Sequence, residues 1–113
     1  MMNNASPPSF DELASFITDR FARLRIPYLE WANLARLVVQ GLPYDRQKLA
    51  ELEAIINERR AELRSAVIIA SEHLDEEQLV QLRDQARMSK FAWKSLKKNR
   101  LITIKNGFTL VSY

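Results

Sequence analysis

The chain has no cysteine, one histidine and only two glycines among its 113 residues. Without Cys, disulfides, thiolate zinc sites and cysteine nucleophiles are excluded, and folding is indifferent to redox compartment. Two glycines, Gly41 and Gly107, cannot supply a Gly-rich loop that cradles phosphates. No apolar run approaches the roughly 18 residues of a membrane span, and residues 1–8 lack the charged-then-apolar layout of a signal peptide. The expectation is a cytoplasmic protein with no membrane partner. A chain of this length with 47% apolar residues builds one core, so residues 9–113 are read as a single domain after a loose tail at 1–8.

Catalytic material is equally scarce. His73 sits near the expected end of a helix, where the dipole favours a cation, and this gives it a capping or packing role. Glu72, Asp75, Glu76 and Glu77 surround it in sequence, but acidic residues at the start of a helix explain them, and no hard-cation loop encloses them. No metal, cofactor or small-molecule substrate is inferred, and the protein is read as a non-enzyme.

What is present is an uneven charge distribution. Residues 83–113 hold eight basic residues against one acidic, a formal +7, whereas residues 1–82 hold nine basic against 13 acidic, a formal −4. The overall +3 therefore hides two halves of opposite sign. One end of the molecule should attract polyanions.

Punctuation along the chain predicts five helices. Ser9 with Glu12 makes a capping box for the first, whose apolar positions Leu13, Ile17, Phe21 and Leu24 keep helical spacing. Pro27 suits the start of a second helix over about 27–40, closed by Gly41 and Pro43. Its polar residues Glu30, Asn33, Arg36 and Gln40 occupy one narrow face, which predicts a buried centre for the N-terminal part. Asp45 caps a third helix that runs without Pro or Gly to about residue 73. Its length suggests self-association, but a strict heptad fails at Arg59 and His73. Asp75 with Gln78 opens a fourth helix.

The fifth, over about 88–99, separates its residues at 100° per residue: Met88, Ala92, Trp93 and Leu96 on one side with Phe91 at the margin, and Lys90, Lys94, Lys97 and Lys98 opposite. Then Leu101-Ile102-Thr103-Ile104-Lys105 alternates into Asn106-Gly107, the strongest short signal for a tight hairpin, with Phe108 to Val111 returning.

This order resembles the winged helix-turn-helix family of DNA-binding domains. Residues 67–74 match its first helix, 76–87 the second, 89–100 the recognition helix and 101–111 the wing. The likeness covers about the last 45 to 50 residues at the level of spacing and residue type, and the turn Arg87-Met88-Ser89 lacks the Gly often found there. The class so implied is mainly α, a five-helix domain with a C-terminal β-hairpin that is winged-helix-like at its end. Residues 63–113 form the winged-helix-like part. Residues 9–62 form a helical part whose three helices offer a homodimer or protein-partner surface.

The expected function is a regulator or accessory factor that binds duplex DNA. Ser89, Lys90 and Lys94 are the candidates for base edges, Arg83, Arg87, Lys97, Lys98 and Lys105 for phosphates, and Asn106 at the hairpin tip for a minor groove. The competing reading is a helical interaction module that sets its basic face against an acidic partner surface.

Overall fold

A computed structural model describes residues 7–98 and the backbone of 101–105 and 108–112. Helix α1 (Phe10–Ala22) begins with the capping box. The Glu12 N–H donates to Ser9 Oγ at 3.1 Å and the Ser9 N–H donates to Glu12 Oε1 at 2.9 Å. The Ser9 backbone N–H first, and then the Ser9 hydroxyl, hold the Glu12 carboxyl below its ordinary pKa. The contribution of the box is therefore complete above the ordinary Glu range and is lost as pH falls through the lowered value.

Helix α2 (Arg25–Val39) follows after a two-residue corner. It starts two residues earlier than expected, because a proline anywhere in the first turn sacrifices only an N–H that has no intrahelical partner. The Arg59 guanidinium donates to the Arg23 carbonyl at 2.8 Å and so caps the corner. Gly41, at φ 72°, ends α2: its N–H donates to the Val38 carbonyl and that of Leu42 to the Leu37 carbonyl, a Schellman closure.

Helix α3 (Arg46–His73) is capped by Asp45, whose carboxylate accepts the Lys48 N–H at 2.9 Å. At 28 residues it spans about 42 Å. Its buried stripe, Leu49, Leu52, Ile56, Leu63, Ala66, Val67 and Ala70, is covered by the chain's own helices: α1, α2 and α5 all pack on α3. Where the stripe breaks, Arg60 Nη1 donates to Tyr28 Oη at 3.0 Å and Nη2 to Ser95 Oγ at 3.3 Å, tying α2 and α5 to the spine.

Helix α2 is not the buried centre that its composition predicts. Only Pro27, Trp31 and Ala35 are buried, with Leu34 and Val38 partly covered, while Ile26, Leu29 and Val39 face outward. Its main helical neighbour is α3 alone, so one flank is left open. Trp31 Nε1 donates to Glu53 Oε2 at 3.0 Å across that contact.

Helix α4 (Glu76–Ala86) opens with the Asp75–Gln78 capping box and packs on α1. It ends on Arg87 at φ 58°, where the Arg87 N–H donates to the Asp84 carbonyl and the Met88 N–H to the Arg83 carbonyl. This is the closure seen at Gly41, made by an arginine in the left-handed region that glycine usually fills. Helix α5 (Lys90–Lys97) then begins at Ser89 and buries Trp93 and Leu96 on α3.

The expected fold class is corrected to mainly α. Residues 7–98 contain no strand, and the helical content is 82%. Residues 67–73, matched to the first helix of a winged-helix-like end, are the last turns of α3, which runs unbroken to His73 as its lack of Pro and Gly predicts. The division expected between residues 62 and 63 therefore falls inside a helix, and one core cluster joins α1 to α5.

The β-hairpin wing is corrected with it. The backbone of β1 (Leu101–Lys105) pairs antiparallel with β2 (Phe108–Ser112), Leu101 opposite Ser112 and Lys105 opposite Phe108. This two-stranded ribbon has α3 and α2 as its principal neighbours rather than α5, so it does not stand as a wing beside that helix. The first six residues of the tail expected at 1–8 lie outside the described residues.

Candidate nucleic-acid interface

Eight residues make α5 too short to persist by propensity alone, and its two faces explain why it holds. Inside, Met88, Trp93 and Leu96 are buried, with Ala92 half-buried. At the N-terminus, Ser89 Oγ accepts the Ala92 N–H at 3.0 Å. Outside, Lys90, Lys94, Lys97 and Lys98 are all exposed, and among the described residues none of them forms an ion pair. Lys94 and Lys97, in the last turn, are favoured by the helix dipole, but Lys90 and Lys94 stand four residues apart with like charge, a mildly repulsive spacing. Arg87, exposed at the α4 corner, extends this face at its N-terminal end.

The candidate residues divide into three groups. Lys90, Lys94, Lys97, Lys98 and Arg87 come together as one exposed cationic face. Ser89 borders it, with its hydroxyl oxygen already used as a cap and only its O–H left to donate. Arg83 does not belong to it: its side chain is only 12% exposed, its guanidinium carbon lies 5.8 Å from the Trp93 ring centroid, and one nitrogen is 3.8 Å from a Glu76 carboxylate oxygen. Its assignment to phosphate is corrected to a packing role, because the closure at Arg87 brings α4 and α5 near enough for the guanidinium to cover the indole. Lys105 ends β1, and Asn106 lies outside the described residues.

Phe91 is the residue that the projection placed least well. It is 76% exposed and emerges within the lysine face, although helical spacing set it at the margin of the apolar side. The signal was present: at 100° per residue its direction falls only about 20° from that of Lys98.

His73 is exposed in the last turn of α3. Among the described residues no three His, Asp or Glu side chains are grouped to hold a metal ion, and no helix is long and apolar enough to cross a membrane. No family model, curated protein or solved structure matches the chain.

Proposed function

We propose that this protein is a non-enzymatic DNA-binding protein, a regulator or accessory factor that contacts duplex DNA through the outer face of α5. The observation that carries this is the set of exposed cations at Arg87, Lys90, Lys94, Lys97 and Lys98, which have no ion-pair partner among the described residues. Lysine ammoniums on a helix that fits a major groove neutralise phosphates and release counterions, which gives affinity without demanding a base sequence. Base readers are few: Ser89 keeps one donor, and lysines are better suited to phosphates than to bidentate recognition of bases.

Fluorescence anisotropy of a labelled duplex across a salt series tests this. Five phosphate contacts give a log–log slope of about −4.5, and a change of duplex sequence shifts affinity little. Binding that ignores salt would contradict the reading.

A second reading, a helical protein-interaction module, is favoured by one observation. Ile26, Leu29 and Ile55, exposed to 70%, 56% and 41%, lie on the open flank of α2 and on α3 beside it. If a second copy covers them, light scattering at tens of micromolar, an illustrative range for an ordinary affinity, reports a dimer that Leu29→Lys returns to a monomer. A monomer throughout removes self-association.

A further inference from the structure

We propose that the groove between the α1–α2 corner and α5 holds an unpaired nucleobase, so that the protein prefers single-stranded or locally unpaired nucleic acid to continuous duplex. This rests on the nucleic-acid reading above and names the form of nucleic acid. One wall is Phe21, Leu24 and Tyr28; the other is Phe91, Ala92, Ser95 and Leu96. Arg60 lies between them and is spent structurally, donating to Tyr28 Oη and Ser95 Oγ, which fixes the two walls relative to each other. A second hollow shares Phe21, Leu24 and Tyr28 and runs on to Arg25 and Arg87. The two volumes, about 300 and 500 Å³, are those of small-ligand clefts.

Charge singles out this groove. No Asp or Glu is among the described residues that line either hollow, whereas two further clefts carry Glu12 and Glu62, and Glu30. Cations flank the aromatic surface: Arg25 and Arg87 line one end, and Lys94 and Lys98 follow Phe91 along the outer face of α5, about one and two turns on. A ring flanked by cations matches a base flanked by two phosphates, since every base offers a flat π-face and each link carries one negative charge. An acidic peptide carries its charges on flexible stems and has no need of exposed rings. Duplex bases are stacked on one another and leave Phe91 without a partner. An unpaired base can cover it.

The experiment uses the full chain, oligothymidylate, a duplex of equal length and polyglutamate as probes, with Phe91→Ala, Phe91→Trp and the Lys94/Lys97/Lys98→Ala triple variant. Phe91 is exposed, so its replacement leaves the circular dichroism and thermal midpoint of the parent. Oligothymidylate is expected to bind about tenfold tighter than duplex; Phe91→Ala loses about tenfold for the single strand, within the range of one stacked base, and less than twofold for duplex. Phe91→Trp keeps the parent affinity, and its indole emission is quenched by the single strand. Unchanged single-strand affinity in Phe91→Ala, or unquenched emission in Phe91→Trp, overturns the groove assignment. If both nucleic acids still lose affinity in the triple lysine variant, the DNA-binding reading survives that failure. If neither nucleic acid binds, both readings fall, and Phe91-dependent binding of polyglutamate then gives the groove to an acidic protein.

Discussion

Trp93→Ala is expected to lower the unfolding free energy by about 3–5 kcal/mol, the usual cost of truncating a buried aromatic side chain to alanine. The indole is 4% exposed and sits on the inner face of a helix only eight residues long. That helix is anchored to α3 through Trp93 and Leu96, and the Arg83 guanidinium covers the ring. Removing the ring opens a cavity and also leaves a partly buried cation without the surface it packs on. Equilibrium denaturation in urea checks the value: the midpoint should fall with an unchanged slope. DNA binding should be normal wherever the variant remains folded, because the ring faces away from the lysines. A loss below about 1 kcal/mol would mean that α5 is not held through Trp93.

Much of the helical architecture was legible because its signals are local. Ser9 with Glu12, Asp45, and Asp75 with Gln78 announce helix starts through bonds that span three residues, and each forms in the structure. The inner and outer faces of α5 were legible for a similar reason: four lysines and three large apolar residues separate at helical spacing, with Phe91 alone misplaced.

What was not legible depends on neighbours. Residues 27 to 40 are apolar around most of the helix, and composition cannot tell how many partners such a helix finds; α2 finds one helix and leaves Ile26 and Leu29 open. The end of α4 was expected at Arg87, but its left-handed closure was not legible, because no glycine advertises it. Nothing in a helical projection of α4 alone puts Arg83 over Trp93, since that contact needs the closure at Arg87 first. The continuity of α3 to His73 was legible, because the apolar stripe Leu63, Val67, Ala70 runs on with no Pro or Gly to interrupt it.

The second large effect concerns the outer face of the same helix. Lys94, Lys97 and Lys98 are exposed and are in no ion pair among the described residues, so truncating them removes neither packing nor a charge partner, and the far-ultraviolet circular dichroism and thermal midpoint should stay close to the parent's. Loss of all three ammoniums, by contrast, withdraws most of the cations that α5 presents to a phosphate backbone. Arg87 and Lys90 remain, so binding should weaken rather than vanish. The most direct measurement is therefore the affinity of the Lys94/Lys97/Lys98→Ala variant for duplex DNA at low salt, followed through a salt series beside the parent. The account predicts a folded protein whose affinity falls on the order of tenfold to a hundredfold, with a log–log slope shallower by about three. A folded triple variant that binds as tightly as the parent, with the same slope, would contradict it and leave the lysines as a solvated face.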